Sequence, residues 1–189
     1  MSGRDPYLHP TQQILRNKLG ILDSDRLDQI ERRLVTQRIT EGMPRGQFDL
    51  AHLRAIHRHL FQDIYDWAGE LRTVEIAKDG HQFQFHRFIT IGMTAIHQRL
   101  VAARFLCGLS PPAFAEAAGT IIGDLNYVHP FRDGNGRAQL QYLDSLARQA
   151  GHPLDLTRLS PAGWRAAPRA AHEGDYRLMS EEIAKAAGA

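Results

Sequence analysis

A wide apolar stripe that runs straight into a glycine-rich turn sets the architecture of this chain. Phe114, Ala117, Ala118, Ile121, Ile122 and Leu125 recur at helical spacing, which places their helix at the centre of a bundle. Ser110 and Pro111 provide a cap and a first-turn proline for its start. The helix delivers its last turn into His129-Pro130-Phe131-Arg132-Asp133-Gly134-Asn135-Gly136-Arg137. Pro130 stops it, because the residue before a proline is pushed towards extended angles. From Arg137 to Gly151 a second helix is expected, with Leu140, Leu143 and Ala147 on one face. The pattern predicts a helix–loop–helix with its chemistry in the loop.

The rest of the chain is read by the same periodicity. Pro6 to Gly20 reads as a loop and a short helix, and Asp23 to Thr40 as a longer helix. Leu27, Ile30, Leu34 and Ile39 form the apolar side of the longer one, capped by Asp23 or Ser24. After the breakers Gly42, Pro44 and Gly46, Asp49 caps a helix carrying Leu50, Leu53, Leu60, Phe61, Ile64 and Trp67, ended by Gly69. Leu71 to Ile76 and Gln82 to Phe85 read as strands of a hairpin with Asp79-Gly80 at its tip. Ile89 to Phe105 is helical, with Ile89, Met93, Ile96 and Leu100 in register. Ser160-Pro161 opens a last helical region, broken at Pro168 and Gly174, and Ala186 to Ala189 reads as a frayed end. No other strand candidates stand out, so the expected class is all-α.

A length of 189 residues fits one domain over 1–189, with a core at about 50–150, N-terminal helices in 6–46 and a C-terminal helical region in 152–185. The net charge of +2 is too small to predict nucleic-acid binding, so a phosphate ligand needs a local site. A single cysteine, Cys107 between apolar neighbours, excludes an internal disulfide and reads as a buried thiol in a reducing compartment. The start lacks an apolar signal region, and no run approaches the ~18 apolar residues of a membrane helix. A cytoplasmic location without membrane contact is expected.

The nine-residue loop holds a base, an acid, an anion-binding turn and a cation. Gly134-Asn135-Gly136 can aim successive N–H groups at one phosphate, and the dipole of the following helix faces the same point. Asp133 offers a hard oxygen to Mg²⁺, which is commonly held by one or two carboxylates plus substrate phosphates. His129 can accept a proton near neutral pH, and Arg137 presents a planar fork to phosphate oxygens. These parts suggest phosphoryl or nucleotidyl transfer from a magnesium-bound nucleotide.

At these residues the chain resembles the Fic family, whose motif H-x-F-x-[DE]-G-N-G-R-x-x-R matches at every position but the last. Leu140 stands where the family has its second arginine. Trp67 to Ile76 is similar to the family's approach to a hairpin called the flap, and Gly3-Arg4-Asp5-Pro6-Tyr7-Leu8 is similar to the start of toxins from FicTA toxin–antitoxin modules. The resemblance implies an all-α Fic fold and transfer of AMP from ATP to a Ser, Thr or Tyr hydroxyl of a target protein. It implies His129 as general base, Asp133 as the Mg²⁺ ligand, and Gly134, Asn135, Gly136 and Arg137 as phosphate contacts. Phe131 would be buried beneath the loop as support. The flap residues Val74, Ile76, Lys78, Asp79, Gly80 and His81 would dock an extended target segment by strand addition.

Leu140 matters because the family's arginine there holds the γ-phosphate and receives the glutamate of an inhibitory helix. Another cation, such as Arg148 or Lys78, can hold the γ-phosphate instead; alternatively the donor differs, or inhibition works by steric occlusion. Glu41-Gly42 and Glu173-Gly174 lack the leading Ser or Thr of the inhibitory motif, so the resemblance implies a separate antitoxin that supplies the helix. Implied targets are the ATPase subunits of DNA gyrase and topoisomerase IV. Rival readings are transfer of UMP or phosphocholine, or a weakly active nucleotide- or partner-binding module. Kinase activity of the Doc type is disfavoured, because Doc proteins carry a lysine where this chain has Gly136. Tyr142, Trp164 and Tyr176 are candidates for stacking on adenine, with core packing the plainer role for each.

Overall fold

The computed structural model describes residues 5–188, so Gly3, Arg4 and Ala189 lie outside the described residues. Its helices are α1 (Ser24–Thr40), α2 (Leu50–Phe61), α3 (Ile89–Ala102), α4 (Pro111–Val128), α5 (Asn135–Ala150), α6 (Pro161–His172) and α7 (Arg177–Ala187). Strands β1 (Ala77–Lys78) and β2 (His81–Gln82) pair antiparallel, with Ala77 opposite Gln82 and Lys78 opposite His81. The fold is mostly helical with one hairpin, as the periodicity predicts.

α4 is the hub: α3, α5, α6 and α7 all pack on it. Phe114, Ile122 and Leu125 are fully buried there, each contributing about 1.5–3 kcal/mol relative to exposure. α7 approaches so closely that a Cβ at Gly119 would lie 2.3 Å from Ser180 Oγ, and one at Gly123 2.6 Å from the Tyr176 ring. No helix among the described residues is long and apolar enough to cross a membrane.

Several expected boundaries move, each for a local reason. Residues 6–20 form turns and one isolated bridge, Leu8 to Leu15, rather than a short helix. Asn17 competes for the backbone there, bonding the carbonyls of Leu15 and Ile21 at 3.1 and 2.8 Å. α2 stops at Phe61, not Gly69. Beyond it, Asp63 leaves to meet Arg38 at 2.7 Å, and Gly69 N–H donates to His57 Nδ1 at 2.9 Å. α3 ends at Ala102, followed by a left-handed turn at Arg104–Leu106. α5 begins at Asn135, two residues before Arg137. α6 runs through Pro168 and ends at His172 before Gly174, whose φ is +87°.

The hairpin is shorter than expected. Leu71–Ile76 is not a strand, because the buried Arg72 side chain reaches into its own segment and takes the Val74 carbonyl at 2.8 Å. The tip is as read: Asp79 and Gly80 have φ of 52° and 83°, the paired positive values of a tight hairpin turn. Of the apolar side expected for α1, Leu27 is buried but Ile39 is exposed, and Glu31 is buried instead. Cys107 is half-buried, and Ala186 is packed rather than frayed.

Candidate active site

His129 caps the C-terminus of α4 with φ 46° and ψ 63°, left-handed rather than the extended backbone expected before Pro130. A left-handed conformation costs an L-residue about 1–2 kcal/mol, so the surroundings must hold it. Phe83, just past β2, stacks on the imidazole with centroids 3.7 Å apart and planes at 14°. Arg72 Nε donates to the His129 carbonyl at 2.8 Å, and Arg72 N–H to the Pro130 carbonyl at 2.9 Å. The ring's Nδ1 lies 3.1 Å from the Asn126 carbonyl. A carbonyl only accepts, so Nδ1 carries the proton and the Nε2 lone pair is left for the cleft. Burial pushes the imidazole pKa down to about 4; the Asn126 carbonyl opposes this, and the charges of Arg72 and Lys78 add to it. The ring is therefore neutral at pH 7.

α5 follows at once, and its first intrahelical bond runs from Ala138 N–H to the Gly134 carbonyl at 3.0 Å. The amides of Asn135, Gly136 and Arg137 lie ahead of that bond and have no intrahelical carbonyl to meet. The two glycines differ. Gly134 has φ +77°, and a Cβ there would lie 2.5 Å from the Phe61 ring, so the fold itself demands glycine. A Cβ at Gly136 would meet nothing within 4 Å, so only a ligand can require its absence. The Asn135 side chain turns inward, accepting from Phe131 N–H at 2.9 Å and donating to the Phe131 carbonyl at 2.8 Å. It thereby closes the loop, and it can serve a phosphate through its backbone N–H.

Asp133 is half-exposed; its Oδ1 accepts from Gly134 N–H at 2.5 Å and lies 3.8 Å from Arg137. Among the described residues no group of three or more His, Cys, Asp or Glu could hold a metal ion. One carboxylate with an oxygen to spare fits a magnesium ion that arrives with phosphates. Arg137 pairs with Glu31 of α1, its guanidinium 4.6 Å from the Phe61 ring centroid. Glu31 also accepts from Tyr65 Oη, and burial followed by that bond raises the Tyr65 pKa.

Three residues important to this geometry lie outside the loop motif, Arg72 within the segment that resembles the family's approach to the flap. His57 is fully buried beneath the loop, stacked on Phe131 at 3.8 Å, with Nε2 2.9 Å from the Asp133 carbonyl. Its Nδ1 accepts from Gly69, so Nε2 donates; burial lowers its pKa to about 4. Arg72 ties α4 to the flap, donating to the carbonyls of Val128, His129, Val74 and Gln84. Glu31 is the third. The invariant feature is long-range contact, which leaves no signal in local spacing.

His129, the Asp133–Arg137 loop and Leu140 line one open cleft of about 1070 Å³. Of the proposed flap residues, Ile76, Lys78, Asp79 and His81 also line it, whereas Gly80 sits at the tip and the Val74 carbonyl accepts from Arg72. α6 makes another wall with Trp164, Arg165, Arg169 and His172. His81 meets the far end of that wall, 3.9 Å from Glu173. Arg148 is not part of the cleft and pairs with Asp144 at 2.8 Å. Tyr142 is core, donating to the Phe48 carbonyl at 2.7 Å, and Tyr176 donates to Asp124 at 2.6 Å; of the three stacking candidates only Trp164 lines the cleft.

The Fic/DOC family model matches residues 47–146, more than half of the chain. The chain belongs to this family. Its Fic relatives include a probable protein adenylyltransferase, y4lH, of Sinorhizobium fredii, 37% identical over 95% of this chain and 94% of that protein. Among solved structures, the Fic domain of a putative cell filamentation protein of Bartonella quintana, with bound ADP, superposes with a TM-score of 0.87 at 26% identity, covering 95% of this chain and 93% of that one. The BepC effector of Bartonella tribocorum, with bound AMPPNP, gives 0.86 at 27% identity and covers 95% of both chains. The Fic fold and the homology to protein adenylyltransferases agree with the resemblance read from the loop.

Proposed function

We propose that this Fic protein moves AMP from ATP to a Ser, Thr or Tyr hydroxyl of a target protein. The observation that carries the reading is His129: a neutral imidazole with its lone pair free, set beside the open amides of α5. The α5 N-terminus would receive the α- and β-phosphates. The target oxygen attacks the α-phosphorus while its proton passes to His129 Nε2. The α–β bridging bond breaks, and pyrophosphate leaves with the electron pair. Arg137 would stabilise charge on the departing group. Asp133 would hold magnesium, which when bound supplies further positive charge against the phosphates. ADP and AMPPNP in structural relatives support an adenine nucleotide as donor.

The target and regulator follow from the toxin resemblance. Asp5 to Leu8, its described part, packs beside the site: Asp5 accepts from Arg132 at 2.7 Å, and Tyr7 Oη lies 3.4 Å from Thr73 Oγ1. The targets we infer are the ATPase subunits of DNA gyrase and topoisomerase IV, and the regulator a small antitoxin that supplies an inhibitory helix. We take residues 1–189 as one Fic domain. Leu140 brings no charge to the cleft, which favours a donor of another diphosphate-linked group as the second reading.

The test is incubation with Mg²⁺, both topoisomerases and ATP labelled at the α or γ position, with His129→Ala alongside. Label from the α position alone, lost in the variant, is the expected result. Transfer of γ label would make the protein a kinase, and absence of both would reject ATP or these targets.

A further inference from the structure

The cleft contains more charge than the motif accounts for. Among its cations, Arg132 is committed to Asp5 and Arg137 to Glu31. Arg165 and Arg169 on α6 are exposed, line the cleft, and have no ion pair or hydrogen bond among the described residues. Their spacing of four residues sets them one turn apart on the same face of α6. A third donor points the same way. Gln139 is 4% exposed and lines the cleft, and its Nε2 is buried without an acceptor. A buried amide donor without a partner is costly, and an oxygen-rich ligand would satisfy it. Beside Gln139 stands Leu140, which lines the cleft and brings no charge.

We propose that Arg165 and Arg169 bind the terminal phosphate of the nucleoside triphosphate, with Gln139 as an additional donor. This rests on the nucleotide reading above. The open amides at the start of α5 serve the α- and β-phosphates in that reading, and a triphosphate extends beyond them. The bound AMPPNP of one structural relative is such a ligand. Guanidinium groups suit phosphate oxygens through paired, charge-assisted bonds. With α6 charged, the site needs no arginine at position 140. The α6 arginines therefore set the preference for a triphosphate over a diphosphate donor.

The experiment measures dissociation constants for AMPPNP, ADP and AMP by titration calorimetry. It compares the intact protein with Arg165→Ala, Arg169→Ala, the double variant, and the double variant carrying Leu140→Arg. Each arginine lost is expected to weaken AMPPNP binding by roughly tenfold, ADP binding less, and AMP binding not at all. Leu140→Arg should restore much of the AMPPNP affinity in the double variant. Thermal melts should be unchanged, since both side chains are exposed. Equal losses for all three nucleotides would overturn the assignment, and so would no loss for any. The latter would point to α6 facing the protein target instead. If the intact protein binds none of the three, the adenine-nucleotide reading falls and takes this one with it.

Discussion

Gly134 and Gly136 look alike in sequence and differ in what each excludes. A Cβ at Gly134 meets the Phe61 ring, and its φ is +77°. Gly134→Ala should therefore lower stability by about 1–3 kcal/mol, seen as a fall in the urea midpoint. Gly136→Ala should keep or raise stability, because alanine is the better helix former by about 1 kcal/mol. If a phosphate sits against that backbone, the same variant should bind AMPPNP more weakly. Equal stability losses would show that the second glycine also serves the fold. The inward amide of Asn135 is a similar lesson: a polar motif residue can act by shaping the loop that presents its neighbours' N–H groups.

Elements here are joined by one clamp. Arg72 holds the end of α4 and both limbs of the flap through carbonyls that no other side chain among the described residues reaches. Lysine keeps the charge but loses the planar fork. Arg72→Lys should lower the rate of transfer by about 10²-fold through misplacement of His129, and speed amide exchange across 74–84. An unchanged exchange pattern would refute the clamp. The same residue explains what was legible in the sequence. The starts of α1 and α2 are readable because their caps are local: Asp23 and Asp49 accept from N–H groups three residues on, each at 2.8 Å. The loop was readable because its chemistry is contiguous. The first strand is shorter than its residue types predict because the Val74 carbonyl goes to Arg72 rather than to a partner strand. Glu31 leaves no local signal because its partners, Tyr65 and Arg137, lie 34 and 106 residues away.

At the scale of the whole molecule, two neutral histidines, His57 buried and His129 half-buried, make the fold acid-sensitive. His57 and His129 have pKa values lowered from 6.5 to about 4. Below pH 6.5 the unfolded chain binds a proton at each that the folded protein refuses. Stability is therefore full above pH 6.5 and is lost as the pH falls towards 4, by on the order of 3 kcal/mol per histidine. Urea midpoints at pH 7 and pH 5 should show most of that decline before carboxylates titrate. Ring resonances of both histidines should stay in the neutral form at pH 5.5. Protonation near pH 6.5 would contradict the burial. The family match ends at residue 146, whereas α6 begins at Pro161. One wall of the cleft thus lies outside the segment that holds the motif.

The left-handed backbone of His129 gives the protein a standing conflict of interest with its own proposed base. Glycine is the residue that this conformation favours. Comparing two inactive forms isolates the effect: His129→Gly should melt above His129→Ala, by about 1 kcal/mol of stability. Both variants lose the stacking on Phe83 alike, so the difference between them reads the backbone alone. Purifying pressure on His129 has to come from what the protein does, because the backbone by itself would discard it.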